Sequence, residues 1–232
     1  MDMSVDLLAF GPHPDDIEIG IGGTVSKQAR CGHRVGLCDL TRGELGSNGT
    51  VDERRSEAEA GAEVLGAAWR ENLEWPDGEI GGGDQVRSAV EFVRRCRPAT
   101  VLIPHWVDRH PDHLAASQVL TTAVFKSGLR KYDVAGDAWR PDWVCYYFIN
   151  DAVLPSFVVD VSEDYDTKRR ALDCHRSQFT PDAEDAVPTR LTTRRFRQLI
   201  ETRDAGFGVS VGVAFAEGFV VTAPIVRSDV MK

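Results

Sequence analysis

The stretch Val5-Asp6-Leu7-Leu8-Ala9-Phe10-Gly11-Pro12-His13-Pro14-Asp15-Asp16-Ile17-Glu18 decides the fold. Its first half is a short apolar run, the pattern of a strand buried on both faces. Gly11-Pro12 ends that strand, because proline has no amide hydrogen to give a ladder. A helix then opens near Asp16 and runs to about Arg30, closed by Gly32. Strand followed at once by helix is the unit from which parallel sheets are built.

The unit repeats along the chain. Residues 34–41 read as a second strand, and residues 42–50 as a Gly-rich loop containing the turn pair Asn48-Gly49. Residues 51–65 are rich in Ala, Glu and Arg and read as a helix ending at Gly66. A short strand over 73–75 leads into Pro76-Asp77-Gly78. Asp84 can cap a helix that reaches Arg97 and stops at Pro98. Residues 99–104 form a further buried strand, 105–113 a His-rich loop, and 114–126 a helix. Strands are expected at 143–149 and 157–161, and helices at 165–175 and 189–203. The Gly-rich end, 206–221, reads as strand or loop. This alternation predicts one α/β domain spanning 1–232, Rossmann-like, with a mostly parallel sheet and helices on both faces. Functional groups in such folds gather at the carboxyl ends of the strands.

Composition narrows the partners. Of 232 residues, 27 are Lys or Arg and 36 Asp or Glu, which leaves a net charge of −9. That balance argues against a nucleic-acid binder and against a polybasic membrane anchor. The chain is 42% hydrophobic and 27% charged, an ordinary globular mix without an apolar run long enough to span a bilayer. Its first residues carry acids rather than the positive charge of a secretory signal, so a cytoplasmic location is expected. The five cysteines show no C-x-x-C pair and read as buried reduced thiols.

Two constellations carry chemistry. One is Pro12-His13-Pro14-Asp15-Asp16 at the end of the first strand; the other is His105 to His113 at the end of the 99–104 strand. His13 and Asp16, three apart across a turn, can reach one point, while Asp15 points elsewhere. A His and an Asp from one strand end with a His from the other make three ligands and leave a position open, as a catalytic metal requires. Taken singly, each motif is equally good turn chemistry, since Asp caps helices and Pro fits their first position. No competing signature is present: there is no H-E-x-x-H, no G-x-S-x-G and no P-loop. Gly20-Ile21-Gly22-Gly23 is no dinucleotide fingerprint and lies inside the first helix, and Pro12-His13-Pro14 would obstruct a pyrophosphate.

Pro12-His13-Pro14-Asp15-Asp16-Ile17-Glu18 and His110-Pro111-Asp112-His113 resemble the two motifs of the LmbE-like (PIG-L) zinc deacetylases. Thr41-x-Gly43-Glu44-Leu45-Gly46, Arg54-x-x-Glu57, Asn72-Leu73, Asp77-Gly78, His175-x-Ser177-Gln178-Phe179 and Ala216-Glu217-Gly218-Phe219 extend the similarity along nearly the whole chain. Gly11-Pro12 departs from the alanine usual before the first histidine. The resemblance implies that His13, Asp16 and His113 bind one Zn²⁺, or another divalent ion. It implies that Asp15 is the general base and that His110 meets the developing oxyanion or assists proton transfer. For that role His110 needs to be protonated, which Asp108 or Asp112 could favour. Arg54 and Asp77 would hold sugar hydroxyls, and Glu44 and Gln178 would line the pocket. The branch most similar deacetylates N-acetylglucosaminyl malate in bacillithiol biosynthesis. The alternatives are another sugar or chitooligosaccharide N-deacetylase, or an amidase of thiol–sugar conjugates. The implied partner is a small acetylated amino sugar, and the family commonly forms homo-oligomers, hexamers among them. His175, Glu217 and the Arg194-Arg195-x-Arg197 cluster receive no role from sequence.

Overall fold

The apolar run at the start of the chain becomes β1 (Leu7–Gly11), buried at every residue. In the computed structural model, which describes residues 2–181, 184, 186–226, 228, 229 and 231, β1 pairs in parallel on both sides. Its neighbours are β2 (Val35–Thr41) and β4 (Thr100–Pro104). β3 (Trp69–Trp75) adds in parallel beyond β2, and β5 (Trp143–Tyr147) beyond β4. β7 (Ala216–Val220) pairs antiparallel with β5 and with the edge strand β6 (Phe157–Asp160). The order is therefore β3-β2-β1-β4-β5-β7-β6, the mostly parallel sheet expected, with one reversed strand.

Helices cover both faces. α1 (Asp16–Arg30), α2 (Val51–Leu65), α5 (Tyr165–Cys174) and α7 (Arg194–Val211) lie over one core, which includes Ala9, Leu37 and Tyr147. α3 (Gly83–Cys96) and α4 (Pro111–Ser127) cover the other, with Phe10, Val93 and Ile103. The short α6 (Arg176–Phe179) follows α5. α2 begins where Thr50 and Glu53 cap each other and ends on Gly66 in the left-handed region, which explains why its bounds were legible. No helix among the described residues is long and apolar enough to cross a membrane.

α4 starts at Pro111, so His113 lies in its first turn and not in the loop read over 105–113, and three further elements differ from the sequence reading. β3 starts at Trp69, because Arg70 turns inward to an ion-pair network and its polarity masks the strand. α7 starts at Arg194, capped by Thr193, and continues through Gly206 and Gly208 to Gly212. Gly208 is where the backbone of Ala214 folds back; an added Cβ would lie 2.8 Å from it. The last segment is a true strand, β7.

Ile21 leaves the helical region and kinks α1. The kink frees the amides of Gly23 and Thr24, which donate to the two carboxylate oxygens of Glu217 at 3.0 and 2.7 Å. Lys168 Nζ donates to Glu217 at 2.6 Å and to Asp204 at 2.7 Å, and Tyr165 and Arg203 also donate to Asp204. Lys168, Asp204 and Glu217 are completely buried. Gly20 lets α1 lie close against β5, since a side chain there would overlap the Tyr147 ring, and Gly22 faces the Lys168 stem. The glycines of α1 thus serve packing rather than phosphate binding.

Removing Lys168 leaves the buried Glu217 without a cation and Asp204 with Arg203 alone among the described residues. Lys168→Met is expected to destabilise the fold by about 3–5 kcal/mol, read from urea unfolding. A loss below about 1 kcal/mol would show that the network tolerates the missing charge.

Candidate metal centre

β1 and β4 are adjacent, yet their following helices leave toward opposite faces of the sheet. A crevice opens at their carboxyl ends. The turn after β1 supplies His13 and Asp16, and the first turn of α4 supplies His113. Asp16 Oδ2 lies 3.0 Å from His13 Nδ1 and 3.3 Å from His113 Nε2. The three side chains form a group whose ligand atoms all fall within 4.8 Å of one another. Two imidazole nitrogens and a carboxylate oxygen suit Zn²⁺ or a similar divalent ion.

The other ring nitrogen of each histidine meets a carboxylate. His13 Nε2 lies 3.1 Å from Asp77 Oδ1 and 3.2 Å from Asp112 Oδ2. His113 Nδ1 lies 3.1 Å from Asp108 Oδ1. Such partners fix the tautomer and orientation of a metal-binding imidazole. Burial lowers the pKa of both imidazoles, but the surrounding carboxylates outweigh it and raise His113 to about 9 and His13 well above its ordinary value. Burial likewise opposes the ionised form of Asp16, yet His113 and His13 hold it well below the usual carboxylate range. The acids of this cluster demand positive charge, which protons or a divalent cation can supply. His13, His110 and Asp112 make a second group of three. There His110 Nδ1 accepts the Asp112 amide and Asp112 Oδ2 accepts the Gly78 amide.

Asp15 precedes α1 but does not cap it with its side chain. Its φ of 129° is a region L-residues rarely adopt, a strain of about 1–3 kcal/mol. The side chain is buried, and Oδ2 makes no hydrogen bond; the nearest charge is Arg54 Nη2 at 3.7 Å. Burial pushes the Asp15 pKa up to about 6, with Arg54 opposing and Asp16 reinforcing the rise. A strained, unsatisfied carboxylate beside the ligands has the character of a general base near neutrality.

A cavity of about 540 Å³ opens over these groups and is lined by Arg54, Asp77, Arg109, Gln178 and Arg190 as well as His13, Asp16 and His113. Arg54 is buried and donates to the carbonyls of Gly43 and Pro14 at 2.8 and 2.9 Å, tying two loops together. Gly43, at φ 65°, leaves room for that guanidinium where a Cβ would overlap it. Asp77 has one oxygen on His13 and the other on the Leu45 amide at 3.0 Å, so it orients the His13 ring while forming the cavity wall. Glu44 accepts the Asp77 amide at 3.0 Å and is not part of the lining. Gln178 lines the cavity and donates to Asn48 O at 2.7 Å.

His110 caps α4, accepting the Asp112 amide at Nδ1. Partial burial and the neighbouring His113 and His13 lower its pKa. The expectation that Asp108 or Asp112 keeps it protonated is corrected: Asp108 is spent on His113, and a ring accepting at Nδ1 carries its proton on Nε2. The neutral ring still offers one donor. His105 turns away and stacks on Trp106, with ring centroids 4.1 Å apart. His175 is buried against Glu18, whose carboxylate is held at about 2, against burial, by Arg70 and His175. Within the Arg194 cluster, Arg197 pairs with Asp173 at 2.6 Å.

Sequence reasoning missed Asn150, Arg109 and Arg190. Asn150 follows β5 at its carboxyl end, a position that the strand-end rule could have flagged. Arg190 fell inside the helix expected over 189–203; it lies instead in the irregular stretch before α7 and reaches the site only through the folded chain.

A family model described as PIG-L, GlcNAc-PI de-N-acetylase, matches residues 8–124. Diacetylchitobiose deacetylase of Thermococcus kodakarensis is 34% identical over 192 residues, covering 76% of this chain and 71% of that protein. Probable N-acetyl-α-D-glucosaminyl L-malate deacetylase 2 of Bacillus cereus is 28% identical over 202 residues, covering 79% and 88%. A conserved protein of Thermus thermophilus superposes with a TM-score of 0.89 at 36% identity, over 98% of this chain and 99% of that one.

Asp108→Asn is expected to weaken Zn²⁺ binding about 10–100-fold in chelator competition while the fold persists. Unchanged affinity would remove Asp108 from the support of the site.

Proposed function

The chain belongs to the PIG-L family of GlcNAc-PI de-N-acetylases, and on that premise we propose that it is a Zn²⁺-dependent hydrolase of the N-acetyl group of N-acetylglucosaminyl malate. That it is a deacetylase of GlcNAc-type substrates follows from the family and its relatives. The metal and the acidic aglycone are the proposal. The observation that carries the reaction is Asp15, a buried carboxylate with a free oxygen next to the His13, Asp16 and His113 group.

An amide is a poor electrophile with a poor leaving group. Zn²⁺ held by His13, Asp16 and His113 would supply Lewis acidity toward the carbonyl and toward water. The rest belongs to this chain. Asp15 takes a proton from the attacking water and gives it to the departing amine. A carboxylate at about 6 can do both near neutral pH. His110 donates its Nε2 proton toward the oxygen that gains charge, an interaction worth about 3–4 kcal/mol at comparable sites. Arg54 holds the Gly43 loop over the sugar, and Asp77 contributes wall and ligand orientation in one side chain.

Arg109 supports the acidic aglycone. It lines the cavity, is exposed, and makes no hydrogen bond or ion pair among the described residues. A guanidinium waiting at the mouth matches a carboxylate by a bidentate contact. A second reading, diacetylchitobiose, is favoured by the 34% identical relative that bears that activity in its name. That sugar is neutral and gives Arg109 no partner.

Acetate release from the two substrates, side by side, decides between them. The malate conjugate should be preferred, and Arg109→Ala should lower its kcat/KM about 10–100-fold while leaving diacetylchitobiose unaffected. Preference of the unaltered enzyme for diacetylchitobiose would overturn the acidic reading. Asp15→Asn should keep one Zn²⁺ per chain and lose about 10²–10⁴-fold in kcat; retained activity would remove Asp15 as the base.

A further inference from the structure

One wall of the cavity is wired to the ligand shell by hydrogen bonds that neither sequence motif contains. Asp108 Oδ1 faces His113 Nδ1 at 3.1 Å. The same carboxylate is gripped at both oxygens by Asn150. The side-chain amide nitrogen of Asn150 donates to Oδ1 at 3.0 Å, and its backbone N–H donates to Oδ2 at 2.9 Å. A third donor, the His110 amide, reaches Oδ1 at 2.8 Å. Two contacts from one residue fix the plane of a carboxylate, and that plane sets where its lone pairs meet the imidazole.

The Asn150 amide could in principle sit either way round. Arg190 Nη1 donates to Asn150 Oδ1 at 2.9 Å. Arginine has only donors and an ionised carboxylate only acceptors. Arg190 therefore demands the amide oxygen, and Asp108 demands the NH₂; the two demands agree. Arg190 is itself steadied over the Phe196 ring, 5.1 Å from its centroid. Both Arg190 and Asn150 line the cavity.

We propose that Asn150 and Arg190 are positioning residues for His113, acting through Asp108, so that the wall of the substrate cavity sets the geometry of a metal ligand. The inference rests on reading His113 as a ligand. Of the five N–H groups of Arg190, one is engaged among the described residues. The others are free to contact an acidic substrate, so binding in the outer cavity would tighten the same relay.

The test uses the full-length protein, with Zn²⁺ affinity from chelator competition and the visible spectrum of the Co²⁺-loaded form. Asn150→Ala is expected to weaken Zn²⁺ about 10-fold or more and to shift the Co²⁺ bands. Arg190→Met should move both readouts in the same direction by less, and Arg190→Lys should restore part of the loss. Asp108→Ala/Asn150→Ala should be no weaker than Asp108→Ala alone, since both act through one carboxylate. Wild-type affinity and spectrum in both Asn150→Ala and Arg190→Met would overturn the relay, as would fully additive losses in the double variant. Should Asn150→Ala fail to fold, the Arg190 pair carries the decision. His113→Ala separates the two levels: lost binding there with intact binding in the relay variants overturns the relay alone. Wild-type binding in His113→Ala overturns the ligand reading and the relay with it.

Discussion

A parallel sheet cannot close both faces around its strand ends. Where connections leave in opposite directions, a crevice is forced open, and here that place is the boundary between β1 and β4. Asp16 Oδ2 spans it, lying near an imidazole from each strand end. The remaining site residues are arranged around that junction. Asp77 comes from beyond β3, Asp108 and Asp112 from the β4–α4 region, and Asn150 from beyond β5. Five parallel strands each deliver polar groups to one edge of the sheet, and their apolar interiors hold those groups in fixed relation.

Away from the crevice, buried ion pairs join the layers alongside the apolar cores. Arg70 reaches Asp39 at 2.7 Å and also Glu18, linking edge strand β3 to β2 and α1. Lys168 links α5 to α7 and β7, while Glu217 caps the kink in α1. Buried charges of this kind are weak evidence of added stability, yet they are intolerant of a missing partner. They restrict how the helices can seat, because each carboxylate must find its own cation. Arg203 extends this restriction to the backbone, donating to the carbonyls of Ile19, Phe148 and Ile149 beneath the site.

Much of this was legible in the residues. The apolar run before Gly11-Pro12 marked β1, and the motifs at His13 and His110 lay at strand ends as the α/β pattern required. Motif spacing cannot reveal long-range pairing. The resemblance gave Asp77 a sugar contact and left Glu217 without a role; each is placed by a partner more than sixty residues away. β3 was half hidden because an edge strand can carry Arg70, Glu71 and Asn72, whose polarity imitates a loop. α7 was cut short for the opposite reason, since Gly206 and Gly208 resemble breakers yet serve close packing against the chain that returns into β7.

The backbone at Asp15 carries a further consequence. At φ 129° glycine would sit without strain, and an aspartate does not. Its free oxygen adds an unsatisfied polar atom to the interior. A chain selected for folding alone would replace it, and the replacement would be sturdier. Thermal robustness and the carboxylate at this position therefore pull against each other. Libraries enriched only for heat resistance would drift toward glycine at position 15 and return well-folded molecules with the proposed base gone.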